Sequence, residues 1–156
     1  MRPGNMEKEL SKQELDHLIV DLLKEQSLCV IATCSDNVPR ASTVEYFSIA
    51  TSIYILTEGG VKINNVIHNP NVSIAIHAPF SGWQTVRGIQ ITGIAEIGRK
   101  GSIVYEEGLD AFNKRRGLTG TVPDIMSIIK VKPSKIEYLD TALGNKGFKV
   151  RHTLVF

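Results

Sequence analysis

Cysteine and aromatic residues are scarce in this sequence. There are two cysteines and one tryptophan, and Phe, Trp and Tyr together make up 6% of 156 residues. Two cysteines exclude a disulfide-stapled fold. Cys29 and Cys34 lie five apart in one apolar stretch, so on a strand they face opposite ways and neither pair nor share a metal. The four histidines, His17, His68, His77 and His152, are scattered without ligand spacing, so no metal site is expected. No apolar run approaches the roughly 18–20 residues that span a bilayer. The first ten residues, MRPGNMEKEL, hold no apolar core of a secretory signal. An excess of one charge is missing too: 18 basic residues face 16 acidic ones, a net charge of +2. That balance argues against nucleic acid as the partner. The motifs GxSxG, HExxH, GxGxxG and the Walker loop are absent. The expectation is a cytoplasmic protein with neither membrane nor nucleic-acid partner.

What is present is ordinary globular material, 42% apolar and 22% charged. The length suits one domain that buries roughly 68–70% of its unfolded surface. Residues 1–10 read as a flexible N-terminus and 11–156 as a single domain. Ser11 and Glu14 form a capping box before Leu15, Leu18, Ile19, Leu22 and Leu23, which recur at helical spacing. From Leu28 the period changes to that of strands. Strands are expected at Leu28–Thr33, about Arg40–Ile49, and Ile53–Thr57, arranged as a meander around the turn Ser35-Asp36-Asn37. A short helix follows from Val61 to Asn69, then a strand over Val72–His77. The alternating segment Gln84–Ile97 puts Ile89, Ile91, Ala95 and Ile97 on one face and Gly88, Gln90, Thr92 and Glu96 on the other, with Gly93 marking a bulge. Ser102 caps a third helix that ends at Arg116 before Gly117, and its last-turn triplet Lys114-Arg115-Arg116 suits the helix dipole. A loop over Leu118–Asp124 leads to strands at about Met126–Lys132 and Lys135–Leu139. The tail alternates again, with Phe148, Val150, Leu154 and Phe156 expected to pack. This pattern predicts a mainly β fold, an antiparallel β-barrel with peripheral helices.

Three segments offer chemistry. At Ile55-Leu56-Thr57-Glu58-Gly59-Gly60-Val61-Lys62 a strand ends, two glycines free the backbone and a helix begins. The unpaired amides of a helix start attract anions, and a lysine in that first turn is better placed beside a phosphate. Thr57 adds a hydroxyl. On the long strand, Gly88 would let a flat ligand approach, and Gln90 offers an amide able to donate and accept, suited to a heterocycle. The strand Ala41-Ser42-Thr43-Val44-Glu45-Tyr46 can present main-chain groups to a ring edge. Each segment also reads as an ordinary helix start, a solvated face or a plain strand. Trp83, in a loop, reads as a partner or ring contact, or as a half-buried loop tryptophan.

In this order, the segments resemble the pyridoxamine 5'-phosphate oxidase-like family of FMN-binding split barrels. The resemblance is carried by IYILTEGGVKINNVIHNPNVSIAI followed by VRGIQITGIAEI, with Thr57, Lys62, Asn69-Pro70, Gly93 and Glu96 in the family's places. It implies a six-stranded antiparallel split barrel, a homodimer, and FMN bound at the subunit interface. Lys62 and Thr57 match the family's phosphate-binding positions. Ser42, Thr43, Val44 and Glu45 match the strand that lines the flavin. Basic residues at the ends of that strand are replaced by Ala41 and Tyr46, with Arg40 one position early. The family's arginine before the lysine is Val61 here. The family glutamine falls at Gly88, with Gln90 on the same face. The ending GFKVRHTLVF lacks the arginine-rich substrate segment of true pyridoxamine phosphate oxidases. The reading is therefore an FMN-dependent oxidoreductase that exchanges electrons with a small-molecule donor or acceptor, with no catalytic acid or base assigned. The alternative is a non-catalytic flavin, haem or deazaflavin binder or carrier.

Overall fold

The computed structural model describes residues 6–117 and 122–156. The first helix, α1 (Lys12–Glu25), begins at the capping box: Ser11 Oγ accepts from Glu14 N at 3.1 Å, and the Glu14 carboxylate accepts from Ser11 N at 2.7 Å. Its apolar stripe, Leu15, Ile19, Leu22 and Leu23, is buried against the sheet. Among the described residues eight strands follow: β1 (Leu28–Ser35), β2 (Val38–Glu45), β3 (Phe47–Ile49), β4 (Ser52–Thr57), β5 (Asn71–His77), β6 (Arg87–Gly98), β7 (Ser127–Asp140) and β8 (Arg151–Val155). Helix α2 (Val61–His68) links β4 to β5, and α3 (Ile103–Arg116) follows β6. Short 3₁₀ turns occupy Trp83–Thr85 and Thr141–Lys146.

All strand pairings are antiparallel, in the order β2-β1-β5-β6-β7-β4-β3, with β8 added to the free half of β7. The order is not that of a meander. β1 and β2 form a two-residue hairpin whose loop residues Asp36 and Asn37 both have positive φ, the geometry such tight hairpins require. The chain then changes partner. β2 pairs with β1, whereas β3 pairs with β4, so the run 38–49 joins the two ends of the strand order and closes the wall. The expected single strand Arg40–Ile49 is therefore two, broken at Tyr46.

Tyr46 is fully buried at that break. Its N–H donates to Ser27 O at 3.0 Å and its hydroxyl donates to Leu23 O at 2.7 Å. The two strands expected around Pro133 are instead one. Proline has no N–H to give, and Pro133 falls where β7 passes from pairing β4 to pairing β8. These two changes cancel in number; among the described residues the sheet has eight strands, where the resemblance implied a six-stranded barrel. The bulge expected at Gly93 is there: the β6–β7 register shifts between Thr92 and Gly93, and a Cβ on Gly93 would lie 2.7 Å from Lys132 O.

The main core fills the barrel beneath α1 and α2. A second, smaller core joins α3 to Phe47, Tyr54 and Ile128. Ser102 and Gly117 cap α3 as expected, Gly117 in the left-handed region. Gln84 lies in the 3₁₀ turn, so β6 begins at Arg87. The tail pairs through β8 and buries Leu154, but Phe156 stays 57% exposed. Lys8, in the segment expected to be loose, forms a parallel bridge with Phe148. Residues 118–121 of the expected 118–124 loop lie outside the described residues. No helix among the described residues is long and apolar enough to cross a membrane.

Candidate functional site

β4 ends at the buried Thr57. Gly59 and Gly60 follow with φ of +128° and +90°, conformations that a side chain disfavours. Gly60 is the N-cap of α2, so no side chain occupies the first amides of the helix, and its first turn carries no acid. Those amides are free to bind an anion, aided by the helix dipole. Lys62 sits in the same turn, half-buried, with no ion-pair partner among the described residues. The Thr57 hydroxyl makes only long contacts, accepting from Gly59 N at 3.4 Å and donating to Gly59 O at 3.5 Å. It can turn to a ligand at little cost. Ile63 and Val66 anchor α2 in the main core. Asn65 Nδ2 donates to Thr33 Oγ1 at 3.0 Å, both buried, which fixes the helix against β1. Sequence reasoning missed this pair, because a buried Asn–Thr contact 32 residues apart leaves no local signal.

Alternation divides the strand residues into two groups. Arg40, Ser42 and Val44 pair with Thr33, Ile31 and Cys29, whose side chains turn inward. Thr33 is the residue that Asn65 holds, so Arg40 and Ser42 lie at the α2 end of the barrel with Thr57 and Lys62. Thr43 and Glu45 face outward. Thr43 belongs to a cross-strand row with Val30, Ala75, Gln90, Glu137 and Thr153. Within one chain, Gln90 is therefore on the outer wall, apart from the Thr57–Lys62 junction.

That outer wall carries two adjoining grooves. One, of about 350 Å³, runs past His77, Gln90 and Arg151. The other, of about 330 Å³, runs past Leu28, Val30 and Thr43. Ala75 and His77 border both. His77 Nδ1 lies 2.7 Å from Ala78 O, so the ring donates there, and Nε2 has no hydrogen-bond partner among the described residues. The space that Gly88 leaves is bounded by Ile76 O at 3.0 Å and His77 Cβ at 3.2 Å. Its missing side chain thus serves close packing of β5 on β6, where the sequence suggested room for a ligand. Trp83 is exposed and meets Phe80 edge-on at 5.4 Å.

The basic triplet of α3 is engaged. Lys114 pairs with Asp110 at 2.9 Å. Arg115 donates to Gln26 O and, at 3.5 Å, to Tyr46 O. Arg116 donates to both oxygens of Glu45, at 2.8 and 2.6 Å. Cys29 is not a nucleophile, since burial pushes its thiol up to about 12. Among the described residues, no three of His, Cys, Asp and Glu gather around a common point.

A family model described as pyridoxamine 5'-phosphate oxidase matches residues 15–140. No curated protein sequence matches. Solved structures share the fold at low identity. A structure titled as a putative pyridoxamine 5'-phosphate oxidase from Listeria innocua is 21% identical, with a TM-score of 0.66 over 81% of this chain and 98% of that one. An FAD-binding protein from Mesorhizobium loti is 16% identical, with a TM-score of 0.64 over 84% and 95%. A haem storage protein from Vibrio cholerae is also 16% identical, with a TM-score of 0.61 over 76% and 89%. The antiparallel wall curled around α2, the glycine-led helix start and the match over residues 15–140 agree: the chain belongs to the pyridoxamine 5'-phosphate oxidase family, with its split-barrel fold.

Proposed function

We propose that the protein is an FMN-binding flavoprotein that works as a homodimer and acts as an oxidoreductase in the cytoplasm. The observation that carries this reading is the uncapped start of α2, with Lys62 in its first turn. A phosphate dianion fits that donor set: amide N–H groups, an ammonium, and the hydroxyl of Thr57. Arg40 and Ser42 border the same barrel end and would hold the ribityl phosphate from the strand side. Val44 and the main chain of β2 would support the ring edge. When bound, the flavin supplies hydride or electron transfer, while the chain binds and orients it. The electron partner would be a small molecule.

Homodimer formation is supported by the outer wall. Leu28 is 57% and Val30 37% exposed there, beside the small Ala32, Ala75 and Gly88. A second copy would cover that face and bring its own Thr43 and Gln90 to the flavin. Cytoplasmic location is supported by two free thiols.

The tests are direct. An absorbance spectrum of the purified protein is expected to display flavin bands, and sedimentation is expected to give twice the monomer mass. Lys62→Ala is expected to weaken FMN binding by about 1–3 kcal/mol, the scale of a lost charge-assisted hydrogen bond. An unchanged dissociation constant would remove Lys62 from the site. Bleaching by a nicotinamide donor, with turnover on an added acceptor, separates an enzyme from a carrier. A second reading is haem carriage, favoured by the Nε2 of His77 at the meeting of two grooves. A Soret band that is lost in His77→Ala, in place of flavin bands, would establish it.

A further inference from the structure

One stretch of this chain holds no charge. No Lys, Arg, Asp or Glu occurs between Lys62 and Arg87, although such residues make up 22% of the sequence. The stretch includes β5 and the loop after it. β5 lies between β1 and β6, and outward positions on these three strands alternate with buried ones. Over residues 28–34, 71–77 and 88–94 none of those outward positions is Lys, Arg, Asp or Glu, and the first charge beyond the band on β6 is Glu96. A sheet face left to water turns polar and charged residues outward. A band three strands wide without charge has the composition of an interface core.

The loop after β5 extends the band. Phe80 and Trp83 are 66% and 81% exposed and meet edge-on at 5.4 Å. Their footing is fixed. Ala78 N–H donates to Arg87 O at 2.9 Å, Val86 N–H to Thr141 Oγ1 at 3.0 Å, and Thr141 N–H to Val86 O at 3.0 Å. Pro79, at the foot of this tip, lines the outer-wall groove with Leu28, Val30 and Thr43. In a single chain, two aromatic rings are thus held in water at the end of an uncharged face. Aromatic side chains with few rotamers lose little entropy on docking and serve as interface anchors.

A second copy of this chain fits these features. In a two-fold interface a residue near the axis meets its own counterpart, so a charge there would face the same charge. A charge-free band avoids that repulsion, whereas a different partner could match charges with opposite ones. The area agrees. Three strands about 4.8 Å apart and about 23 Å long present roughly 330 Å². That is short of the roughly 800 Å² each partner buries in a stable complex. A phenylalanine and a tryptophan add about 150–250 Å² each, which brings the total near that size. Resting on the homodimer reading above, we infer that the Phe80–Trp83 tip of each copy docks on the partner and anchors the dimer that the outer walls form.

Trp83 is the only tryptophan in the chain, so tryptophan emission reports on the tip alone. The experiment is sedimentation of the full chain over a range of concentrations, with emission recorded beside it and circular dichroism to check folding. The parent is expected to be dimeric, with emission to the blue of tryptophan in water and moving red as dilution separates the copies. Trp83→Ala is expected to raise the dimer dissociation constant about 30-fold or more, the size of an interface anchor. Its circular dichroism is expected to match the parent, because the side chain is exposed in the single chain. The parent's emission tests the same contact without a substitution. A dimeric parent whose Trp83→Ala variant associates as tightly, or whose emission is that of tryptophan in water, overturns the inference and leaves the homodimer reading intact. A parent that is monomeric at every concentration overturns both.

Discussion

Tyr46 shows how much one residue decides here. It marks the change of strand partner, and its hydroxyl satisfies a carbonyl in the last turn of α1, the end where carbonyls lack helical partners. Burial pushes its hydroxyl up out of the titrating range, so it stays a neutral donor. Tyr46→Phe keeps the ring and removes the donor, leaving Leu23 O buried and unpaired. The expected loss is about 1–2 kcal/mol in a urea melt, with little change in slope. None of this was legible locally, since Tyr46 looks like one more residue in an alternating strand. Lys62, Thr57 and the two glycines could be read, because a helix start is a local event. The Arg116–Glu45 ion pair could not, because its partners lie 71 residues apart and a basic last turn already has a sufficient local cause. The same limit hid the Asn65–Thr33 bond.

At the scale of elements, boundaries set by caps and turn residues were legible. Ser11, Asp36-Asn37, Ser102 and Gly117 act through their own backbone geometry, and the elements they bound agree with the sequence to within a residue or two. Boundaries set by partners were not. β7 runs on through Pro133, where periodicity and proline together suggested a gap, because its β6 edge stays paired on both sides of the bulge at Gly93 while its other edge changes from β4 to β8. Gly93 is the matching feature on β6. A methyl group there would lie 2.7 Å from Lys132 O and 2.8 Å from Val131 Cγ1, so Gly93→Ala is expected to cost about 1–3 kcal/mol in denaturant unfolding.

The N-terminal segment and β8 carry a pH dependence. His152 Nε2 accepts the Leu10 N–H at 3.2 Å, while its Nδ1 is buried without a hydrogen-bond partner among the described residues. Burial and, to a lesser extent, Lys149 hold this imidazole below its ordinary value, against the opposing pull of Glu9. Lys12 and Arg151 border the same groove, and Tyr138 is its partner across the strands. The unfolded chain therefore takes up the proton more readily. The contribution of His152 is fully present above about pH 6.5 and is lost as the pH falls from there through the lower folded-state value. Denaturant melts from about pH 8 to about pH 5 are expected to display this decline, and His152→Gln to flatten it. Protection of the Leu10 amide, its exchange measured against the intrinsic rate at each pH, is expected to fall over the same range, because a proton on Nε2 removes its acceptor.

For the whole molecule, composition and alternation were enough to give a mainly β barrel with helices at its ends, since a closed wall is what so many short antiparallel strands need. They did not give the order in which β5 and β6 lie between β1 and β7. That order follows from pairings across long stretches of chain, in which any two alternating strands look equally suited. The division of the candidate residues into an inner-end group and an outer-wall group was hidden for the same reason. The run from Val38 to Ile49 has a consequence of its own. Two strands joined only through Tyr46, β2 and β3, form the two margins of the sheet, so neither margin can unzip without loosening the other, and the wall has to come apart in a single event. A nick in the Ala50–Thr51 loop would leave both seams stitched, whereas one beside Tyr46 would leave the cylinder with a lasting slit.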